Sequence, residues 1–117
     1  MSLKKSNAWI QFSQYIRRLE KGICFTCKKK QLWKKMDAGH FRHRSLNTFF
    51  LEINVHCQCI YCNRFLHGNL GVYAVELDKK YGAGTAERLI KESQIYHSPY
   101  SKKELKEIAE IYRSRMS

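Results

Sequence analysis

Two Cys-x-x-Cys pairs constrain this chain more than any other feature of its sequence. Cys24 and Cys27 form the first pair, and Cys59 and Cys62 form the second. A two-residue gap lets both sulfurs of a turn face one ion, and four thiolates complete the tetrahedral shell of structural zinc. Thirty-one residues separate the pairs, more than the roughly 15–20 of common zinc motifs. We therefore predict a zinc site, with buried or redox-active thiols as the alternative.

The fifth cysteine, Cys57, is predicted to be a structural or neutral residue, because tetrahedral zinc needs no fifth thiolate. On a strand, Cys57 and Cys59 could share a face, since side chains alternate along a strand. Clustered thiols of this kind are typical of the reducing cytosol. The sequence has no apolar run of transmembrane length, and Met1–Lys5 is not followed by the apolar core of a secretory signal. We expect a cytoplasmic protein.

Positive charge is concentrated in the first third of the chain. The net charge is +12 over 117 residues, and residues 1–36 hold ten Lys or Arg against one acid. Such a one-sided basic segment is typical of a protein that binds a polyanion. The alternative is a basic, solvated face that keeps the protein soluble. Charge therefore favours a nucleic-acid partner and leaves that alternative open.

Apolar spacing predicts a single α+β domain, 1–117, that is mainly helical. A first helix is expected over residues 7–20, with Ser6 or Asn7 as its N-cap. Leu32–Phe41 and Phe49–His56 are predicted to be extended, and a short helix should run from Cys59 toward His67.

The second half of the chain is predicted to be helical throughout, so a core at about 22–68 precedes a helical part at about 69–116. Helices are expected over 70–80, from a Thr85 cap to Ser93, and over 102–115. The last has the capping-box pattern of Ser101 followed by Glu104.

Histidine, asparagine and aspartate cluster between and just after the cysteine pairs. Four of the five histidines lie between His40 and His67. A single histidine there would be more simply explained as a satisfied polar residue, but four around a metal knuckle favour chemistry. The cluster comprises Asp37, His40, His43, Asn54, His56, Asn63 and His67.

Five short segments are distinctive in combination: Cys24-Phe-Thr-Cys27, Asp37-Ala-Gly-His40-Phe41, Asn54-Val-His56-Cys-Gln58-Cys59, Cys62-Asn63-Arg64 and Gly68-Asn69-Leu70. Together they resemble the HNH nucleases and, more closely, the phage NinG/Rap family of recombination endonucleases. The resemblance covers about residues 8–115. It implies a treble-clef ββα-metal core of the His-Me finger type, with an N-terminal helix and C-terminal helices.

The resemblance also implies catalytic roles. His40 would be the general base that activates water, because a neutral imidazole can accept a proton near neutral pH. Asn54 would orient the His40 ring or close the following loop by hydrogen bonds. His56 would be catalytic or contact phosphate, with packing beside the zinc knuckle as the alternative. His43 could assist His40, although a solvated loop position is the simpler interpretation.

A catalytic divalent cation is implied at Asn63, and its oxygen ligand suits Mg²⁺ or Mn²⁺. Many HNH enzymes carry an acid directly before the catalytic histidine, where this chain has Gly39. Asp37, three residues before His40, is one candidate for the second ligand in place of that acid. His67 is the other candidate, because it would lie four residues after Asn63 on one helix face.

The function implied is a metal-dependent endonuclease that cuts branched DNA, such as Holliday junctions, during phage recombination. It would act as a homodimer in the cytoplasm of a phage-infected or prophage-bearing bacterium. The alternative is a non-catalytic treble-clef zinc module that binds nucleic acid. A sequence-specific HNH homing or restriction nuclease is less favoured, because no separate recognition domain is evident. The predicted DNA-binding residues are Lys28, Lys29, Lys30, Lys34, Lys35, Arg42, Arg44 and Arg64.

Overall fold

The computed structural model describes residues 2–117 and confirms a mainly helical α+β chain with one small sheet. No helix in these residues is long and apolar enough to cross a membrane. The helices are α1 (Asn7–Leu19), α2 (Leu70–Tyr81), α3 (Thr85–Ser93) and α4 (Lys102–Met116), and the strands are β1 (Asp37–His40) and β2 (Val55–Gln58).

The two antiparallel strands divide the molecule into two apolar layers. Ala38 pairs with Cys57 and His40 pairs with Val55, so these residues share one face of the sheet. Ala38 and Val55 pack against aromatic and aliphatic side chains of α1 and α4. The opposite face carries Gly39, and a second apolar cluster from α2 and α3 lies on this side. One face of each strand therefore packs toward the α1–α4 layer, and the other face toward the α2–α3 layer.

Helices α1 and α4 both begin where the sequence predicts, because each has a capping residue at its N-terminus. The Ser6 hydroxyl accepts a hydrogen bond from Trp9 N at 3.2 Å, so Ser6 is the N-cap of α1. The capping box of Ser101 and Glu104 is formed at the start of α4. Phe12 of α1 and Tyr112 of α4 meet edge to face, with ring centroids 4.7 Å apart.

The predicted extended segments were too long. Residues 33–35 and 52–54 each form a short 3₁₀ helix, so β1 begins at Asp37 and β2 at Val55. The Asn54 side chain bonds to the backbone of residues 42 and 48. Those bonds fix the intervening loop against the start of β2, so pairing stops at His40.

The segment after Cys59 is a π-helix, Tyr61–Phe65, in which Leu66 N bonds to Tyr61 O. His67, Gly68 and Asn69 follow with positive φ angles of 52°, 95° and 50°, which a right-handed helix cannot accommodate. His67 therefore shares no helix face with Asn63, and that part of the prediction was wrong.

Thr85 is not the cap of α3. Gly84 precedes the helix with a φ of 89°, and Thr85 is its first residue. The Thr85 hydroxyl donates to Gly82 O at 2.8 Å and so closes the turn between α2 and α3.

Candidate metal centre and active site

The four paired cysteines come together as a group that can hold a zinc ion. The sulfurs of Cys24, Cys27, Cys59 and Cys62 all lie within 4.8 Å of one another. Cys27 is the exposed member, and the other three are buried. The turn that carries Cys24 and Cys27, here called the knuckle, packs against β2. Phe25 N in this turn donates a hydrogen bond to Cys57 O at 2.7 Å. A set of four thiols at this spacing fits the donor chemistry of structural zinc.

Hydrogen bonds to sulfur prepare the group for a cation. Cys27 N points at Cys24 Sγ at 3.5 Å, and Cys62 N points at Cys59 Sγ at 3.4 Å. Burial alone would raise the pKa of Cys24, but donors from residues 26, 27 and 59 lower it to about 6. Burial raises the pKa of Cys59 to about 12. A bound cation would favour the thiolate form of all four cysteines.

Cys57 lies outside this group. The residue is completely buried, pairs with Ala38 and belongs to the same buried cluster as Cys24, Met36, Cys59 and Cys62, but its sulfur is not one of the four that converge. Burial and the nearby Glu20 carboxylate raise the pKa of Cys57 to about 12, which keeps the thiol protonated. Its backbone N–H donates to Glu20 Oε1 at 2.8 Å.

A cationic cleft runs past the end of the metal knuckle. Its larger part, of about 770 Å³, is lined by Arg42, Arg44 and His67, and its smaller part, of about 440 Å³, by Arg17, Asp37 and Arg64. Both parts share three lining residues, which are Lys4, His43 and Asn63. A concave surface with this excess of positive charge attracts anions.

Asp37 and Asn63 meet in the smaller part of the cleft. Asn63 Nδ2 donates to Asp37 Oδ2 at 2.9 Å. Arg64 binds the same carboxylate through Nε at 2.9 Å and Nη2 at 3.0 Å. Burial would raise the pKa of Asp37, but these donors hold it below its usual range. Asn63 Oδ1 has no donor among residues 2–117, and with Asp37 it offers the oxygen ligands that Mg²⁺ and Mn²⁺ take.

His40 lies behind the lining of the cleft, on the α1 face of β1. Only 1% of the residue is exposed, and its ring stacks on Trp9 at a centroid distance of 4.8 Å. Nε2 is 3.1 Å from Phe49 O. Because a carbonyl only accepts, Nε2 carries the proton, and Nδ1 keeps a free lone pair. Burial, with smaller contributions from Lys4 and His43, lowers the pKa of His40 to about 4.

Asn54 ties down the loop that follows His40. Its Oδ1 accepts from Arg42 N at 2.9 Å, and its Nδ2 donates to Arg42 O at 3.2 Å and to Thr48 O at 3.0 Å. All of its side-chain hydrogen bonds are to this loop, which carries His43. The observed geometry is therefore loop closure, with no hydrogen bond to the His40 ring.

His56 lies on the other face of the sheet, away from the lining of the cleft. Its ring stacks on Phe25 of the knuckle at 3.9 Å. Nδ1 bonds to Glu20 Oε2 at 2.7 Å, and Nε2 is 3.2 Å from Ile53 O and 3.3 Å from Tyr81 Oη. Fully enclosed by these partners, it packs beside the knuckle as the structural alternative for this residue predicts.

The predicted DNA-binding residues divide into two groups. Arg42, Arg44 and Arg64 line the cleft. Lys28 instead pairs with Glu76 at 2.5 Å and donates to Phe25 O at 2.8 Å. The remaining members of the predicted set are exposed but line neither part of the cleft, and they are Lys29, Lys30, Lys34 and Lys35.

Lys4 and Arg17 line the cleft, although no sequence motif predicts a site role for them. For His43 the simpler prediction was a solvated position in a loop. His43 is indeed exposed, yet it lines both parts of the cleft and its ring lies 6.4 Å from that of His40. Partial burial, with Lys4, Arg42 and Arg44, lowers the pKa of His43. The basic N-terminal segment was the only sequence signal for Lys4 and Arg17, because their convergence depends on the packing of residues 2–19 against β1.

The fold and the site define a small, basic α+β protein with a group of four cysteines that could hold a metal ion, beside a cationic cleft. The sequence model of the Bacteriophage Lambda NinG protein family matches residues 2–117. The chain belongs to the NinG family. No solved structure matches it.

Its similar relatives include several proteins named protein ninG. The chain is 29% identical over 124 residues to that of Escherichia phage lambda, covering 99% of this chain and 59% of the relative. It is 33% identical over 90 residues to that of Escherichia phage 933W, covering 70% of this chain and 44% of the relative. To the protein of Salmonella phage P22 it is 28% identical over 124 residues, covering 99% of this chain and 60% of the relative. The chain thus spans about half the length of the curated relatives that it matches.

Replacing Cys59 with Ser should remove the zinc and unfold the chain, because metal binding and folding are coupled in small zinc proteins. Cys57→Ser is the matched control, and it should keep one zinc per chain with only a modest loss of stability. Metal analysis together with thermal unfolding followed by circular dichroism checks both. A folded Cys59→Ser protein with full zinc, or folded wild type with no metal, would contradict the assignment.

The His40 ring should remain neutral, with its proton on Nε2, from neutral pH down to about pH 5.5, because its pKa is about 4 rather than the usual ~6.5. The unfolded chain binds this proton first, so the stability that neutral His40 contributes is present above pH ~6.5 and is lost as the pH falls toward 4. Side-chain ¹⁵N NMR of the zinc-loaded protein reports both the tautomer and the titration. A His40 titration centred near pH 6.5 would contradict this environment.

Proposed function

We propose that this chain is a metal-dependent DNA endonuclease of the HNH type, built on a treble-clef zinc core, and that it acts on branched DNA in phage recombination. Membership in the NinG family supports the phage setting. The two strands and the π-helix, which places Asn63 directly after a cysteine of the metal group, support the ββα-metal interpretation.

One observation carries the proposal. A neutral histidine, His40, is held by Phe49 O through Nε2 and by Trp9 through stacking, and its Nδ1 has no partner among residues 2–117. A general base needs a fixed ring and an available lone pair. Both are present behind the wall of a cationic cleft that also contains Asn63 and Asp37.

In the proposed reaction, water attacks the phosphorus atom of a phosphodiester bond. His40 Nδ1 accepts the water proton as the new P–O bond forms, the P–O3′ bond breaks, and solvent supplies a proton to the leaving oxygen. A base with a pKa of about 4 is a weak proton acceptor. The negative charge of a bound phosphate would raise the pKa and so strengthen the base.

A divalent cation, held by Asn63 with Asp37, would stabilise charge on the phosphate and on the leaving 3′ oxygen. His67 lines the larger part of the cleft and is exposed, so it is available as a further ligand. Asp37 is engaged by Arg64, whose side chain is 63% exposed and therefore free to move to a DNA phosphate.

The substrate is inferred from the surface around these residues. Lys4, Arg17, Arg42 and Arg44 line the cleft with positive charge, and contacts from such residues to phosphates position DNA without reading its sequence. A cleft that recognises backbone charge suits a substrate defined by its shape. Cutting two strands of a branched molecule requires two active sites, which favours a homodimer.

A second candidate function, a zinc module that binds nucleic acid without cutting it, is favoured by the burial of His40. Only 1% of this residue is exposed, and attack on a phosphate requires that water reach Nδ1. The same cationic cleft would serve simple binding.

Substituting His40 with Gln should reduce cleavage of a four-way junction by roughly 10²–10⁴-fold, the usual loss for a general base. Glutamine retains an N–H donor for Phe49 O, whereas alanine would leave a cavity against Trp9. The matched control is His43→Gln, which changes an exposed neighbour and should have a much smaller effect. Single-turnover cleavage at saturating Mg²⁺ or Mn²⁺ measures the difference.

Asn63→Ala should also lose cleavage and should raise the Mn²⁺ concentration needed for the residual rate. Zinc content is measured in parallel, because Asn63 adjoins Cys62. If His40→Gln cuts as fast as wild type, the base is assigned wrongly, and a loss confined to His43→Gln would transfer the role to His43.

DNA binding should weaken steeply with salt, because each cleft contact to a phosphate releases condensed counterions. Arg44→Ala should lower the slope of log K against log salt by about 0.9, the value of one phosphate contact on duplex DNA. Lys28→Ala is the control and should leave the slope unchanged, since Lys28 is paired with Glu76. Fluorescence anisotropy at several salt concentrations gives the slopes, and equal slopes for all three proteins would show that the cleft is not the DNA surface.

A further inference from the structure

Two side-chain amides converge above Gly39, on the face of β1 opposite His40. A Cβ atom built on Gly39 would lie 1.9 Å from Gln58 Oε1 and 2.9 Å from Asn63 Oδ1. The backbone at Gly39 is ordinary extended strand, so its φ angle does not require glycine. What excludes a larger residue is the pair of oxygens, which occupy the space that a side chain would fill.

The orientation of both amides is fixed by acceptor-only partners. Gln58 Nε2 donates to Gly68 O at 2.9 Å and to Thr26 Oγ1 at 3.2 Å. Because a backbone carbonyl only accepts, the nitrogen must face Gly68 and the oxygen must face Gly39. In the same way Asn63 Nδ2 donates to the Asp37 carboxylate, which leaves Oδ1 turned toward Gly39.

Gln58 Oε1 has no hydrogen-bond partner. The residue is completely buried, and this oxygen belongs to a group of only three buried side-chain N or O atoms in residues 2–117 that lack one. Buried polar atoms are nearly always paired, and an exception calls for an explanation such as an ion. A purely structural role for Gln58 accounts for the two bonds of its nitrogen but not for its oxygen.

We propose that Gln58 Oε1 is, together with Asn63 Oδ1, a ligand of the divalent cation, and that it takes the place of a side chain at residue 39. Amide oxygens are hard donors that suit Mg²⁺ and Mn²⁺. They are neutral, so the Asp37 carboxylate bonded to Asn63 provides the negative charge of the site. The purpose of this cation rests on the proposed nuclease function, but its binding can be measured without cleavage.

The test is a titration of the zinc-loaded chain with Mn²⁺, followed by the loss of the free-ion signal in electron paramagnetic resonance. Gln58→Met removes the oxygen, and Gly39→Ala displaces it with a methyl group. Each should weaken Mn²⁺ binding at least about tenfold. Gly71→Ala is the matched control, because a Cβ there meets nothing within 4 Å, and it should bind Mn²⁺ like wild type.

Gln58→Glu supplies a result that a structural role does not predict. A carboxylate in place of the amide adds negative charge, so Mn²⁺ should bind more tightly even though the donor to Gly68 O is lost. Zinc content and thermal unfolding are measured for every variant. If Gln58→Met fails to fold, Gly39→Ala and Gln58→Glu decide the question.

Folded Gly39→Ala and Gln58→Met proteins that bind Mn²⁺ like wild type would overturn the proposal, as would a wild-type chain that takes up no Mn²⁺. Binding that depends on Gln58 in a chain that cuts no DNA would support this site and contradict the nuclease function. If the wild-type chain cuts DNA and none of these substitutions weakens Mn²⁺ binding, the nuclease function is supported and this cation site is contradicted.

Discussion

The convergence of four cysteine sulfurs connects the two halves of the candidate site and positions the residues that adjoin it. It joins the turn after α1 to the segment after β2, parts of the chain that are otherwise distant in sequence. Asn63 follows Cys62 directly, so its position at the cleft is set by the metal group. On the other side of the knuckle, Glu20 at the end of α1 accepts from Cys57 N and bonds to His56. If zinc holds the four sulfurs together, its loss would release the knuckle, the sheet and the cleft together.

The four-residue strand β1 separates two kinds of environment. On one face, His40 is desolvated among Trp9 and Phe49, which keeps its ring neutral. On the other, Asp37 and the oxygens above Gly39 form a polar surface beside Arg64. Alternation along a strand makes this possible in so short a segment, since adjacent side chains point to opposite faces. In the proposed nuclease, the proton acceptor and the cation site thus lie on opposite faces of one short and largely buried strand.

Features that depend on local sequence signals could be predicted. The cysteine spacing predicted that four sulfurs converge, apolar spacing predicted α1, and Ser101 with Glu104 predicted the start of α4. Features that depend on tertiary packing could not be predicted from the sequence. His67 leaves the helix because three successive residues take positive φ. Gly68 and Asn69 are residue types that favour this conformation and predict an interruption, but they do not show that it already begins at His67. The burial of His40 under Trp9 and the orientation of Gln58 by Thr26 depend on contacts between residues more than 30 positions apart in sequence, for which a single chain offers no pattern.

The most direct test of the central claim is cleavage of an end-labelled four-way DNA junction by the zinc-loaded wild-type chain, with and without added Mg²⁺ or Mn²⁺. Omitting the divalent ion is preferable to adding a chelator, because a chelator would also remove the structural zinc. The account predicts strand cuts only when the ion is added, with 5′-phosphate and 3′-hydroxyl product ends. A folded, zinc-loaded chain that binds the junction but leaves it intact with every divalent ion tested would contradict the account.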